Sequence, residues 1–129
     1  MASILKVDTI TGVTTAGSIA VTGEGNSTTT NLQQGLAKMY GFSNSGATPD
    51  SSFNVASMTD NSTGNYDFNF TSSMSNALYQ VSAAATGANK VNGTSTNNTA
   101  SEVNIQTRDL GSNTLVDNYA SPAIHGDLA

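Results

Sequence analysis

Strict alternation of aromatic and polar residues from Tyr66 to Thr71 constrains the fold of this chain more than any other feature. Tyr66, Phe68 and Phe70 occupy every second position, and the residues between them are polar. Because successive side chains of a β-strand point to opposite faces, this pattern predicts a strand with one buried and one solvated face. Such a strand needs neighbours that cover its aromatic face, so the alternation favours a β-sheet domain.

The polar side chains of the chain are mostly neutral, and this also favours a β-rich protein. Asn, Ser and Thr fill 50 of the 129 positions, whereas Lys, Arg, Asp and Glu fill only 13, well below the usual share of roughly a quarter. Short hydroxyl and amide side chains suit strand faces and turns, and they compete for backbone hydrogen bonds in helices. The composition therefore indicates a β-rich extracellular or virion-type surface protein rather than a cytosolic enzyme.

Charge and residue usage exclude several other classes of protein and of binding site. The net charge is −5 and the four cationic residues are scattered, whereas nucleic-acid and anionic-membrane surfaces need clustered Lys and Arg. The chain has no cysteine, which excludes disulfides and thiolate metal sites. We expect neither a transmembrane helix nor a secretory signal. The apolar content is modest, so the core should be thin and subunit association would bury more of the surface.

Period-two patterns and turn signals predict the rest of a β domain. The cluster between Asp60 and Asn65 is a turn, so residues 52–71 should form a hairpin, and residues 87–100 should form an exposed polar loop. Pro122 should bend the last strand or place it at an edge. Tyr40, Tyr66 and Tyr79 should pack in the core. The other predicted strands cover residues 38–43, 78–86, 101–108 and 119–127, which favours an antiparallel β-sandwich of jelly-roll type or a small barrel.

The first forty residues differ in character from the rest. Residues 1–30 lack aromatic residues and have few apolar ones, which predicts an extended arm that contacts a neighbouring molecule. Residues 31–38 should form a short helical neck, and residues 39–129 the β-sandwich head. Leu32, Leu36 and Met39 have the i, i+4, i+7 spacing of one helix face. This stripe is either the seam of an oligomer or one helical turn packed on its own domain, and both interpretations stay open.

No constellation of residues predicts catalysis or a cofactor. His125 is the single histidine and is expected to be a half-buried strand residue or a subunit contact. The segment from Asp60 to Asn65 lacks the EF-hand spacing, and the acids Asp60, Asp67, Asp109 and Asp117 are expected to cap turns. We therefore predict no enzyme, no metal and no cofactor. The candidate recognition residues lie in polar loops, which carry binding on rigid scaffolds: Asn61, Asn65, Asn92, Asn97, Asn113 and Tyr119.

The opening SILKVDTITG looks like the start of many virion proteins of bacteriophages, especially those of marine and cyanobacterial phages. The stretches NLQQGLAK and SFNVASMTDNSTGNYDFNFTSSMSNALYQVSAA, with the ending SPAIHGDLA, resemble a β-rich domain of phage tail-fibre and appendage proteins. The resemblance covers residues 3–10 and most of 32–129. The chain departs from it at Met39-Tyr40, where an aromatic pair is usual, and at Ile124-His125.

The resemblance implies a homotrimeric, fibre-like or spike-like component on the surface of a virion. The arm, through Ile4, Leu5, Val7 and Ile10, would anchor it to other virion proteins, and the stripe of Leu32, Leu36 and Met39 would hold the oligomer. Two functions remain: a short tail fibre or spike that attaches to the host surface, with a host glycan as its partner, and a capsid decoration protein that stabilises the shell. An enzyme acting on host polysaccharide is the weakest alternative.

Overall fold

A computed structural model of the chain describes residues 4–12, 19–22, 29–44, 46, 48–85, 90–94 and 97–129. Over these ranges it is mainly β with almost no helix, which confirms the predicted fold class at that level. The elements are β1 Ala20–Thr22, β2 Thr29–Asn31, α1 Leu32–Gly35, β3 Ala37–Ser43, β4 Pro49–Phe53, β5 Val55–Ser62, β6 Asn65–Phe70, β7 Gln80–Ala85, β8 Lys90–Thr94, β9 Glu102–Asp109 and β10 Ala120–His125.

The strands form two four-stranded antiparallel sheets and a two-stranded ribbon. The first sheet has the order β4-β3-β10-β7, and the second has the order β5-β6-β9-β8. The ribbon joins β1 to β2. Each four-stranded sheet therefore combines hairpin neighbours with strands that are distant in sequence, such as β3 and β10.

One buried cluster draws side chains from both four-stranded sheets. Gly41 of β3 faces the second sheet, because a Cβ atom added there would lie 2.6 Å from Cε1 of Phe68. The predicted alternation is confirmed, since every aromatic residue of β6 is buried and the residues between them are partly exposed. The buried members of the cluster are Met39, Tyr66, Phe68, Phe70, Met74, Val103, Ile105, Ala120 and Ile124.

The predicted hairpin at 52–71 is confirmed over Val55–Phe70, where β5 pairs with β6, and is wrong only at its first residues. The alternation of Phe53, Val55 and Ser57 predicts one continuous strand with these side chains on one face. Instead the chain leaves the first sheet after Phe53 and enters the second sheet at Val55. The residue between them, Asn54, has a φ of 58°. The left-handed conformation of Asn54 makes the corner, and Phe53 remains exposed on the first sheet.

Pro122 lies in a central strand, so of the two predicted alternatives, a bent strand or an edge strand, the edge position is wrong. Strand β10 runs between β3 and β7, and Pro122 is fully buried. The pairing with β3 passes from Ala120↔Ser43 to Ala123↔Tyr40, whereas the pairing with β7 is continuous. The missing N–H of proline therefore leaves a local gap in one ladder while the other ladder holds the strand.

The predicted helix over 31–38 is reduced to the single turn Leu32–Gly35. Residues 37–38, the last of the predicted helix, belong to β3 instead. From Met39 to Phe42 the side chains of β3 alternate between the two faces of the sheet. The predicted polar loop at 87–100 also contains a strand, β8, which pairs with β9. Residues 86–89 and 95–96 lie outside the described residues.

Candidate functional site

The turn of the β5–β6 hairpin is fastened to the loop that precedes β10. Gly64 has a φ of 64°, and its N–H donates to Oδ1 of Asp117 over 2.7 Å. The hydroxyl of Tyr66 donates to the same carboxylate oxygen over 3.1 Å. Burial and the Asp117 carboxylate raise the pKa of Tyr66 to about 12, so its hydroxyl stays protonated and can donate even above its ordinary pKa of 10. The predicted turn at 60–65 and the loop at 109–118, between β9 and β10, thus form one fixed surface at the same end of the sheets.

Asp109 organises the neighbouring turn through both carboxylate oxygens. Its Oδ1 accepts hydrogen bonds from the backbone N–H groups of Gly111 at 2.9 Å and Ser112 at 3.1 Å. Its Oδ2 forms an ion pair with Nζ of Lys90 at 2.8 Å. These contacts, with the Lys90 bond contributing most, lower the pKa of Asp109 to about 2. Asp109 therefore has the capping role that the sequence predicts.

We expect Lys90→Met to raise the pKa of Asp109 from about 2 towards its ordinary value of 3.8, because the substitution removes the largest stabilising contact. A folded-state pKa below the unfolded one stabilises the fold above about pH 4, and this stabilisation is lost as the pH falls towards 2. The measurement is an NMR titration of the Asp109 side-chain carboxyl. Lys6→Met, which changes a lysine in the arm, is the control, and an unchanged midpoint in Lys90→Met would contradict the assignment.

A network of amides and one carboxylate covers part of the second sheet's outer face. Nδ2 of Asn61 donates to Oδ2 of Asp67 at 2.6 Å. Nδ2 of Asn104 donates to Oδ1 of Asn65 at 2.7 Å and to Oδ1 of Asp67 at 2.5 Å. Asn61 and Asn65, two of the predicted recognition residues, are therefore connected through Asp67 and Asn104. Asn61 is exposed beside the hairpin turn.

The other predicted recognition residues lie in different settings. Asn92 belongs to β8, is half-buried and donates to the backbone oxygen of Ala84, so the prediction of an exposed loop residue is wrong there. Asn97 is exposed, in the segment before β9. Asn113 is exposed and has a φ of 56° in the turn made by Asp109. Tyr119 is exposed and stacks on Phe42 with ring centroids 5.6 Å apart.

The outer face of the first sheet, which we call the aromatic face, carries four aromatic side chains: Tyr40, Phe42, Phe53 and Tyr119. Tyr40 pairs directly with Phe53 across β3 and β4, and their ring centroids are 6.0 Å apart. Tyr40, Phe53 and Tyr119 are 46%, 53% and 42% exposed. The predicted core position of Tyr40 is therefore wrong, whereas Tyr66 is fully buried and Tyr79 packs against the core. The period of two gives the shared face of Tyr40 and Phe42 but does not tell which face is inside.

A cleft of about 270 Å³ opens at the end of β7 and β10. It is lined by Leu78, Tyr79, Gln80, His125 and Asp127, among others. His125 is half-buried on its strand, as predicted. The Tyr79 hydroxyl donates to the backbone oxygen of Glu102 at 2.6 Å, so that side chain is used to join the two sheets at this end.

The predicted anchoring and oligomer residues have different exposures. Ile4, Leu5, Val7 and Ile10 are all exposed on irregular backbone. Leu32 is half-buried, and Leu36 is 54% exposed just before β3. Met39 is fully buried in the core. A helical stripe of Leu32, Leu36 and Met39 is therefore not present, because Met39 is a strand residue that faces the second sheet.

Comparisons of the chain with protein-family models, with curated proteins and with solved structures gave no match. Within the described ranges, no helix is long and apolar enough to cross a membrane. Among the same residues, no three His, Asp or Glu side chains are grouped so that they could hold a metal ion.

Proposed function

We propose that this chain is a structural protein of a bacteriophage virion, a short homotrimeric tail fibre or spike with a β-sandwich head that attaches to the host surface. The observation that carries the proposal is the fixed surface at one end of the two sheets, where the hairpin turn at Gly64 is bonded to Asp117. Loops held by a rigid sheet scaffold are the usual place for recognition. Asn61 and Asn113 are exposed there, and their neutral amides suit the hydroxyl groups of a host glycan.

The sandwich head is supported by the single core that both sheets share. The virion setting is supported by the sequence resemblance and by the large share of neutral polar residues. The arm favours attachment to a larger particle, because it exposes four large aliphatic side chains along nine described residues. That observation favours the second candidate, a capsid decoration protein, as much as it favours a tail fibre.

We expect a chain without residues 2–25 to keep the thermal stability of its two-sheet domain but to bind the virion no longer. The reason is that β3 to β10 lie outside the deletion, whereas the exposed apolar residues of the arm lie inside it. Virions assembled with full-length or truncated protein would be purified and compared by quantitative gel electrophoresis. A point variant, Ile4→Ser with Leu5→Ser, should weaken attachment in the same direction, and Leu110→Ser, which changes an exposed leucine of the 109–118 loop, is the matched control.

The same gels give the number of copies per particle relative to the major capsid protein. A few copies would support the tail fibre or spike, and a number close to that of the capsid protein would support shell decoration. Truncated protein that still co-purifies with virions would show that the arm is not the anchor. Absence of the full-length chain from virions would contradict both candidate functions.

A further inference from the structure

We infer that the aromatic face is a self-association surface, against which a second copy of this chain packs. The starting observation is the orientation of β3. Gly41 points at Phe68 of the second sheet, so Tyr40 and Phe42 on either side of it point away from the protein. Three of the four rings are about half exposed. Large contiguous apolar patches on a folded domain mark sites of interaction.

The shape of the face fits a second copy of itself. Across the four strands, Phe53 pairs with Tyr40, Tyr40 with Ala123, and Ala123 with Ser82. Large aromatic side chains therefore stand on β4 and β3, and small side chains lie beside them on β10 and β7. The aromatic ridge of one copy can lie on the small-residue half of another copy. A surface that holds both halves of a contact is what a homo-oligomer needs.

The charge distribution also favours a copy of the same chain. Charged side chains within a symmetric contact would lose their hydration, and those near the symmetry axis would face their own counterparts and repel. Aromatic, Ala, Ser and Gln side chains surround the rings on the first sheet, the half-buried His125 lies at the end of β10, and Lys38 is 7% exposed. Asp50 is exposed near the start of β4, away from Phe53 at the end of that strand. The outer face of the second sheet carries Asp67, Glu102 and Arg108. Of the two outer faces, the aromatic face therefore has fewer charged side chains to bring into a contact between copies.

The area of the aromatic face determines how strongly we expect two copies to associate. Four strands about 4.8 Å apart and about six residues long cover roughly 400 Å², and a standard interface buries roughly 800 Å² on each partner. The aromatic face alone supplies about half of that area. We therefore expect an association that depends on protein concentration in solution. The inference goes beyond the homotrimer of the proposed function, because two copies that meet face to face close the contact between them, and it does not depend on the virion location.

The test is sedimentation velocity of the full chain over a wide range of concentrations. We expect the wild type to self-associate. Phe53→Asp, in the ridge, and Ser82→Arg, in the small-residue half, should each weaken association at least tenfold, and Ser82→Arg should do so without lowering the thermal midpoint. Ser57→Arg is the matched control, because Ser57 is also an exposed serine of an edge strand but lies in the second sheet. This variant should associate like the wild type.

Two substitutions in different strands keep the test decisive if one of them fails to fold. A wild type that stays a single chain at every concentration would overturn the inference. Equal disruption by Ser57→Arg and Ser82→Arg would also overturn it. If Phe53→Asp leaves association intact and abolishes binding to a neutral oligosaccharide array, the face is a sugar platform and the inference is wrong. None of these outcomes changes the copy number on virions, which tests the proposed function separately.

Discussion

Gly64→Ala should destabilise the protein by about 3–5 kcal/mol, the largest effect of any single change considered. Two independent penalties combine at this position. A residue with a Cβ atom pays roughly 1–2 kcal/mol to adopt the left-handed conformation, and Gly64 has a φ of 64°. The added Cβ would also lie 2.6 Å from the backbone oxygens of Thr107 and Val116 and 2.7 Å from the nitrogen of Val116.

The atoms that the new methyl group would meet cannot move freely. The backbone oxygen of Gly64 accepts a hydrogen bond from the N–H of Thr107 at 2.9 Å, and the N–H of Val116 donates to the oxygen of Thr107 at 3.0 Å. Displacement of β9 or of the loop at Val116 would break these bonds and separate the hairpin turn from Asp117. The substitution should therefore loosen the proposed recognition surface as well as the fold.

Thermal unfolding followed by circular dichroism measures the effect, and the midpoint should fall by roughly 10 °C or more. Gly93→Ala is the matched control. Gly93 also lies in the second sheet, but a Cβ atom there meets nothing within 4 Å, and its φ is not positive. The control should be neutral or slightly stabilising. A Gly64→Ala protein as stable as Gly93→Ala would contradict the described packing of the turn.

Asn54→Ala should cost about 2–4 kcal/mol, because Asn54 holds the corner where the chain changes sheets. Its Nδ2 donates to the backbone oxygens of Lys38 and Ser72, both at 3.0 Å. Its Oδ1 accepts from the N–H of Ser72 at 2.7 Å. Each net hydrogen bond contributes about 0.5–1.5 kcal/mol, and a further fraction comes from the φ of 58°, which asparagine tolerates better than alanine.

Asn54→Gly separates the two contributions, since glycine keeps the backbone conformation and loses the three side-chain bonds. Urea unfolding should rank the proteins as wild type, then Asn54→Gly, then Asn54→Ala. Asn113 provides the comparison, because it has a similar φ of 56° and no side-chain hydrogen bond to the described residues. Asn113→Gly should be nearly neutral. If Asn54→Gly is equally neutral, the side-chain bonds do not hold the corner.

The corner at Asn54 shows why sequence patterns give strands more readily than sheets. Alternation predicts which residues share a face, and it locates the strand around Tyr66 and the buried pair Val103 and Ile105. It cannot show that the alternation running through Phe53 and Val55 passes from one sheet to another. The only local signal is the asparagine itself, a residue that tolerates positive φ, and Asn is common throughout this chain.

Only part of the candidate site could be predicted, because contacts between distant segments leave no local sequence pattern. The loops at 60–65 and 109–118 carry turn residues that the sequence reveals, but their contact through Gly64 and Asp117 depends on tertiary packing. The aromatic face was missed because Met39 and Gly41 compete with Tyr40 and Phe42 for the core. The smaller residue faces inward, since Phe68 needs the space above Gly41. Side-chain volume on the opposite sheet decides this, and no pattern within β3 contains that information.

The central position of β10 affects how the protein is made. During synthesis, the β3–β4 hairpin leaves the ribosome long before residues 120–125, and β7 has no partner in its own sheet until those residues emerge. The second sheet, whose strands end at Asp109, can pair earlier and would wait with its aromatic residues only partly covered. The first sheet can therefore close only after residues 120–125 have emerged and inserted between β3 and β7.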